Sequence, residues 1–314
     1  EIVSLADYRK RYITYKSDRD LQTAHASAPW VVTWDDHEVD NNYASDIPED
    51  DQTPEQLLLR RAAAYQAFYE FMPIRLPVGR QGPAMPIHRR LRFGRLMEMN
   101  VLDTRQYRSD QACNDGRKPS CTEHLDRNRT LLGDAQKDWL YDSLANADAT
   151  WNVLAQQIMM ASLRSVDTEG NELWPMDIWD GYPFERQELL EHLHTVATPN
   201  PIVLTGDIHS NWAADLNLDF DNEASTTIGS EFVCTSITSG GDGQDMTDYG
   251  QTLLNNNPHV KFYNAQRGYV ACTLTPEQWR SDYKVLPRVT EAGAPISIRA
   301  SYIAEAGRPG VQEA

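Results

Sequence analysis

Residues 201–209 read Pro201-Ile202-Val203-Leu204-Thr205-Gly206-Asp207-Ile208-His209, a short apolar run that leads directly into an acid and an imidazole. A run of this length that ends at Gly is typical of a buried strand. Three other apolar runs have the same form: residues 30–34 before Asp35-Asp36-His37, residues 97–102 before Asp103-Thr104-Arg105, and residues 151–155 before Gln156-Gln157. Ligands of open α/β sheets collect outside the carboxyl ends of strands, so these polar residues are candidate site residues.

Helical patterns lie between the apolar runs, over residues 54–71, 133–145 and 183–196. Thr53 is a suitable N-cap for the first of these helices. Strands that alternate with helices indicate an α/β sandwich. After Asn222 the chain becomes rich in Ser, Thr and Gly, and residues 236–241 and 259–263 read as strand and turn. This part favours the second sheet of a sandwich over a separate domain.

The composition of the 314 residues argues against two classes of partner. The chain carries 46 acidic and 29 basic residues, a formal net charge of −17. Such a surface repels nucleic acid, whereas carboxylates are natural ligands of hard divalent cations. Simple solubility explains most of the charge equally well. No apolar run approaches the roughly 18 residues that a membrane-spanning helix needs.

The four cysteines favour an exported protein. Cys113 and Cys121 bracket a short polar loop, and a disulfide that closes such a loop is typical of secreted proteins. Cys234 and Cys272 lie in strand-like runs and could face each other across a sheet. The alternative is a cytosolic protein with four reduced thiols. No spacing resembles a zinc ribbon.

Two segments carry candidate metal chemistry. Residues 34–42 read Trp-Asp-Asp-His-Glu-Val-Asp-Asn-Asn, which places seven oxygen or nitrogen ligands directly after an apolar run. Carboxylates bind hard cations, and the adjacent His37 can protonate a leaving oxygen. The alternative is a solvated acidic turn. Asp207-Ile208-His209 offers a carboxylate and an imidazole on one turn, and Gly206 lets the backbone approach a metal. Taken by itself, this segment is explained better by a structural histidine. Together, the two segments favour a binuclear site.

These segments resemble the PhoD-type alkaline phosphatases and phospholipases D of the calcineurin-like metallophosphoesterase superfamily. The motifs that carry the resemblance extend over essentially the whole chain: Trp34-Asp-Asp-His-Glu38, Leu102-Asp-Thr-Arg-Gln-Tyr107, Gln156-Gln157, Trp179-Asp-Gly-Tyr182, Thr205-Gly-Asp-Ile-His-Ser210, Thr235-Ser-Ile-Thr-Ser-Gly-Gly241 and Asn264-Ala-Gln-Arg-Gly268. The resemblance implies an α/β fold, a two-sheet αββα sandwich of the metallophosphoesterase type. Residues 1–314 would form one catalytic domain.

The resemblance also implies a set of metal ligands. Asp36, Asp207, His209 and Gln156 would hold a binuclear or larger centre with an iron-type ion and Ca²⁺; Zn²⁺ or Mn²⁺ would also suit it. An amide oxygen in place of a superfamily histidine favours the hard Ca²⁺ ion over Zn²⁺. Gln157 is the alternative to Gln156. Two roles stay open for Asp35, Asn41 and Asn42: they could order the loop, or they could ligate Ca²⁺ directly.

Two of the matching residues would act on the substrate. His37 would stabilise a phosphoryl oxygen or protonate the leaving alcohol, and the planar Arg105 guanidinium would bind two phosphate oxygens. The alternative for Arg105 is a structural ion pair with Asp103 or another acid. Trp179 and Tyr182 would line the mouth of the pocket, with positions in the aromatic core as the alternative.

The chain departs from the family pattern before Asp36. The family's Cys-bearing strand and Gly-Asp-x-x-Tyr segment are absent there, and the chain opens inside what reads as a helical approach. We expect cleavage or truncation, with an N-terminal fragment that carries both motifs as a partner.

The expected function is that of a secreted metal-dependent phosphodiesterase that uses a metal-bound hydroxide. Its substrate would be a phosphoester, with phospholipid, a teichoic-type polymer and a monoester left open. The rival interpretation is an extracellular calcium-binding module without hydrolytic activity.

Overall fold

A computed structural model describes residues 1–49, 51–75 and 82–314. The chain divides into two compact units. Unit 1 comprises Glu1–His88 and Asp103–Asp110, and unit 2 comprises Arg89–Leu102 and Gln111–Ala314. None of the helices in the described ranges has the length and apolar character required to cross a bilayer.

The described residues of unit 1 form three α-helices: α1 (Leu5–Lys16), α2 (Arg19–Ser27) and α3 (Pro54–Phe71). The predicted bounds of α3 are confirmed, and Thr53 caps it through a reciprocal capping box with Gln56. Trp34 stacks on Tyr65 of α3 with ring centroids 3.9 Å apart. Aromatic burial of this kind supplies much of the unit's core.

The strand predicted over residues 30–34 is not present. Trp30 and Val31 are 42% and 40% exposed, whereas Val32 and Trp34 are buried. The buried side chains pack in the same cluster as α3 residues Tyr65 and Phe68. A short apolar run does not reveal whether its side chains pack on a sheet or on a helix, so the pattern alone misassigned this segment.

Unit 2 contains all the strands and three further helices of the described chain. The strands are β1 (Arg89–Phe93), β2 (Met97–Val101), β3 (Arg117–Lys118), β4 (Trp151–Ala155), β5 (Ser165–Val166), β6 (Glu172–Pro175), β7 (Pro201–Thr205), β8 (Asn211–Asn217), β9 (Thr227–Val233), β10 (Val260–Asn264), β11 (Arg267–Leu274), β12 (Gln278–Leu286), β13 (Ser297–Glu305) and β14 (Arg308–Glu313). The helices are α4 (Asp134–Ala145), α5 (Pro183–Thr195) and α6 (Asp248–Asn256). The predicted helices over 133–145 and 183–196 are therefore confirmed to within a residue at one end.

Seven strands form the main sheet, in the order β1-β2-β4-β7-β9-β8-β10. Strands β2, β4, β7 and β9 run parallel to one another, so their carboxyl ends share one edge. The predicted strands 97–102, 151–155 and 201–205 are confirmed as β2, β4 and β7. This edge presents Gln156 and Asp207, as expected from the sequence.

A second sheet of four strands, β11-β12-β13-β14, packs on the first. Side chains of both sheets share one buried cluster, including Trp151 and Phe232 from the first sheet and Trp279 and Tyr283 from the second. Helices α4, α5 and α6 contribute to a separate cluster with other residues of the seven-stranded sheet. The predicted α/β class is confirmed, and two facing sheets agree with a sandwich.

Two local predictions after Asn222 need correction. Residues 236–241 form a turn without a strand, and the strand predicted over 259–263 is β10, which joins the first sheet.

The disulfide Cys113–Cys121 is present. Cys234 and Cys272 carry free thiols instead of a bridge.

Candidate active site

In unit 1 the Asp35-Asp36-His37-Glu38 segment forms a short 3₁₀ helix over Asp36–Glu38. The Glu38 carboxylate accepts a hydrogen bond from the Asp35 backbone N–H at 2.7 Å, which closes the turn at its start. The turn buries Asp36, only 4% exposed. It presents the His37 side chain to solvent at 69% exposure.

Two backbone amides fix the Asp36 carboxylate. The His37 N–H donates to Oδ1 at 2.9 Å, and the Asn42 N–H donates to Oδ2 at 3.0 Å. Asn42 reaches this position in a left-handed conformation, with φ 47°. A buried carboxylate oriented by amides keeps further lone pairs on each oxygen, which suits a hard cation.

Arg105 is fully buried and forms an ion pair in unit 1. Its Nε lies 2.6 Å from Asp35 Oδ1, and its Nη2 lies 4.0 Å from Asp36 Oδ1. Asp103 orders the backbone here by accepting from the N–H groups of Arg105 and Gln106, both at 3.0 Å. The ion-pair alternative thus describes part of what Arg105 does, with Asp35 as the partner. Phosphate binding by Arg105 stays a prediction.

Asp35, Asn41 and Asn42 order the loop. Asp35 pairs with Arg105, the Asn42 backbone holds Asp36, and the Asn41 side chain donates to Glu49. Their direct ligation of Ca²⁺ is untested. Burial raises the pKa of Glu38 to about 7; the charges of Asp35 and Asp36 add to this rise, and the hydrogen bond from the Asp35 N–H opposes it.

In unit 2, Asp207 and His209 lie on the tight turn between β7 and β8. Both adopt left-handed backbone conformations, with φ 64° and 54°. Non-glycine residues rarely adopt this region, and such strain concentrates at functional sites. The Ile208 N–H donates to the Gly206 carbonyl at 2.8 Å within the turn. A Cβ on Gly206 would meet no described atom within 4 Å, so space above this backbone is open.

The two glutamines after β4 have different partners. Gln156 Nε2 donates to Thr205 Oγ1 at 2.8 Å, and its Oε1 accepts from Trp179 Nε1 at 3.1 Å. Gln157 Nε2 donates to the Leu102 carbonyl at 3.0 Å. Both side chains are buried. The choice of Gln156 over Gln157 as a metal ligand stays a prediction.

Comparisons with known proteins decide the family. The family model of the PhoD-like phosphatases matches residues 1–283. The chain belongs to the PhoD-like phosphatase family. It is similar to alkaline phosphatase D of Bacillus subtilis (strain 168), with 50% identity over 313 residues that cover all of this chain and 54% of that protein. It is also similar to the solved structure of PhoD, with a TM-score of 0.96 and 50% identity, covering all of this chain and 60% of that one.

The chain therefore spans about half the length of the curated relative that it matches. The stretch matched by the PhoD-like phosphatase model includes every candidate residue discussed above, from Asp35 to His209. The resemblance inferred from the motifs is confirmed at the level of the family.

Trp179 and Tyr182 were predicted at the mouth of the pocket, with core positions as the alternative. Both are buried in the core of unit 2, at 0% and 1% exposure. The Trp179 indole N–H is used by Gln156, and the Tyr182 ring has Arg129 5.0 Å from its centroid. Large aromatic rings without exposed area contribute to packing, which agrees with the core alternative. A role at the mouth of the pocket stays a prediction.

One buried acid near the strand ends was missed by the sequence argument. Glu231 of β9 is fully buried and accepts hydrogen bonds from Thr205 Oγ1 at 2.6 Å and from the N–H groups of Met160 and Ala161 at 2.8 and 2.7 Å. Burial raises its pKa to about 7 against these three donors. A single acid inside the strand pattern 227–233 gives no periodicity signal, so the sequence offered no means of finding it.

Proposed function

We propose that this chain is the larger part of the catalytic domain of a metal-dependent phosphoester hydrolase, a phosphodiesterase of the PhoD-like type. The observation that carries the proposal is the family match over residues 1–283, which includes both ligand-bearing motifs. The relative that shares 50% of its residues is called an alkaline phosphatase, which supports the same reaction class.

We propose Asp36, Asp207, His209 and Gln156 as ligands of one metal centre. The donor set suits hard and borderline cations, because it combines carboxylates with one imidazole and one amide oxygen. The amide-oriented carboxylate of Asp36 and the strained turn of Asp207 and His209 support this assignment. Iron and calcium are the ions proposed on the basis of the family resemblance. Bound cations would supply Lewis acidity and lower the pKa of water for attack on phosphorus.

The remaining groups of the proposed site act on the phosphoester. Arg105 is placed to balance negative charge beside Asp35 and Asp36, and its guanidinium suits phosphoryl oxygens. His37 has an exposed ring next to a buried carboxylate, so the ring can meet a substrate and deliver a proton to the departing alcohol.

We propose that residues preceding this chain in the whole protein complete the site. In segment 30–34, Trp30 and Val31 are 42% and 40% exposed, so they are apolar side chains that such a partner could cover. The expected partner carries the family's Cys-bearing and Gly-Asp-x-x-Tyr motifs. We also propose export, which the Cys113–Cys121 disulfide supports.

The substrate class can be tested with the intact protein and three esters. We expect hydrolysis of bis(p-nitrophenyl) phosphate to exceed that of p-nitrophenyl phosphate, with phosphatidylcholine deciding whether phospholipid is accepted. A matched Asp207→Asn variant should lose hydrolysis of every accepted ester. Preference for the monoester would replace the phosphodiesterase proposal with a phosphomonoesterase.

The calcium-module alternative predicts a different outcome. An intact protein that binds Ca²⁺, contains no transition metal by elemental analysis and hydrolyses none of the three esters would support that alternative and contradict the proposed enzyme.

A further inference from the structure

Two sequence motifs of unit 2 have no role in the proposed chemistry: residues 235–241 and 264–268. Each contributes a buried polar side chain. Thr235 is 7% exposed and Asn264 is 0% exposed, and Asn211 of β8 beside them is 1% exposed. Buried polar groups are retained only where their hydrogen bonds are made, so the partners of these three residues indicate their role.

The three residues form a continuous chain of hydrogen bonds that ends on the candidate ligand His209. Thr235 Oγ1 donates to the His209 carbonyl at 3.1 Å. The Thr235 N–H donates to Asn211 Oδ1 at 3.1 Å, and Asn211 Nδ2 donates to Asn264 Oδ1 at 3.1 Å. This hydrogen-bonded chain of Thr235, Asn211 and Asn264, called the relay below, connects the turn after β7 with the start of the 264–268 motif.

The far end of the relay is itself fixed. Asn264 Oδ1 also accepts from the Gln266 N–H at 3.0 Å, and Asn264 Nδ2 donates to Gln266 Oε1 at 3.0 Å and to Asp245 Oδ1 at 2.9 Å. An amide with both ends engaged cannot rotate without losing several bonds. Asn264 therefore serves as an anchor for Asn211 and Thr235.

The relay ends on a backbone segment, Asp207–His209, that has two residues in the left-handed conformation. His209 has φ 54° and Asp207, two residues earlier, has φ 64°. Sparsely populated conformations of this kind persist only when the surrounding structure determines them. Because the Thr235 hydroxyl bonds to the His209 carbonyl, it acts on the strained residue itself.

We infer that Thr235, backed by Asn211 and Asn264, is a positioning residue that holds His209 in its ligating conformation. The consequence for metal binding rests on the proposed function. The effect on the turn does not, because it follows from the hydrogen bonds alone.

The test compares three variants of the intact protein. Thr235→Val removes the hydroxyl and keeps the side-chain shape, and Thr235→Ser restores a hydroxyl. Thr227→Val is the matched control, because Thr227 Oγ1 makes a similar bond to Asn217 Oδ1 at 2.9 Å at the opposite end of β9. Thr235→Ala replaces the valine variant if that protein does not fold.

Two measurements are made on each variant: hydrogen exchange of residues 206–210 without metal, and retention of transition metal against a chelator. We expect Thr235→Val to exchange at least about tenfold faster in this turn and to lose about 10- to 100-fold in metal affinity, as for other residues that orient a ligand. Thr235→Ser should restore most of both. Values equal to those of Thr227→Val would overturn the inference. If the wild-type protein neither binds metal nor hydrolyses esters, the proposed function fails and hydrogen exchange alone decides the positioning role.

Discussion

At the scale of single residues, His37 and Asp36 are adjacent in sequence and opposite in environment. The His37 side chain is 69% exposed, whereas Asp36 is buried with its carboxylate held by two backbone amides. An exposed imidazole contributes little to stability, while a general acid contributes strongly to turnover. Mutation of His37 can therefore distinguish an effect on turnover from an effect on stability.

We predict that His37→Ala lowers kcat by roughly 10²–10⁴-fold and changes the free energy of unfolding by no more than about 0.5 kcal/mol. Steady-state kinetics and urea unfolding of the intact protein check the two values. His194→Ala, which removes another exposed histidine, is the control. Turnover near the wild-type value in His37→Ala would rule out a role as general acid.

The sequence was enough to propose candidate ligands, but it did not reveal the hydrogen-bond and ion-pair partners of the site residues. Asp36, Asp207 and His209 follow apolar runs, and that local pattern singled them out. The ion pair of Arg105 with Asp35 joins residues 70 positions apart. No local pattern encodes such a pair, because its geometry depends on how the whole unit folds.

At the scale of elements, prediction succeeded where local signals decide the structure. Helix α3 begins at Pro54 with Thr53 as N-cap, both of which are local start signals. Strands β4 and β7 were predicted to the residue, because buried parallel strands read as short apolar runs. Segment 30–34 is a similar short apolar run, but its buried side chains Val32 and Trp34 pack with α3, which only tertiary contacts determine.

The disulfide loop is an element whose contribution to stability can be measured. Cys113 and Cys121 are separated by 8 positions. Closing a loop of this size removes chain entropy from the unfolded state, about 2.6 kcal/mol in the loop-closure model. We predict that Cys113→Ser/Cys121→Ser lowers the free energy of urea unfolding by about 2–3 kcal/mol. A loss below about 0.5 kcal/mol would show that the loop is ordered without the bridge.

At the scale of the whole molecule, buried titratable groups link distant parts of unit 2. His259 precedes β10, and its Nε2 lies 2.8 Å from the Ser162 carbonyl, 97 positions away. Burial lowers the pKa of His259 to about 4; the bond to Ser162 and the charge of Asp180 oppose this lowering, whereas Arg186 and Arg164 add to it. The folded protein thus keeps this ring neutral at pH values where the unfolded chain protonates it.

We predict that this histidine makes the fold acid-sensitive. Between pH 6.5 and about 4 the unfolded chain binds the extra proton, so stability falls as the pH falls through this window. The full loss is about 3 kcal/mol, because each pH unit between the unfolded and folded pKa values contributes about 1.36 kcal/mol. His259→Gln should flatten this part of the stability profile from urea unfolding at several pH values. Equal slopes for variant and wild type would contradict the prediction.

The proposed reaction must be assigned to the whole protein, because this chain matches only part of its relative. This chain covers 54% of the alkaline phosphatase D that it resembles, so the proposed reaction belongs to the intact protein. The net charge of −17 agrees with a role for bound cations, because an acidic surface repels an anionic phosphoester unless cations offset the charge. We therefore expect phosphoester hydrolysis by the intact protein to depend on bound metal.

The most direct test is the rate of bis(p-nitrophenyl) phosphate hydrolysis by the intact protein before chelator dialysis, after it, and after metal is returned. We expect the rate to fall at least about 100-fold on metal removal and to recover when the metal is restored. If the protein, verified as metal-free by elemental analysis, still hydrolyses the ester at the full rate, the proposed metal dependence is wrong.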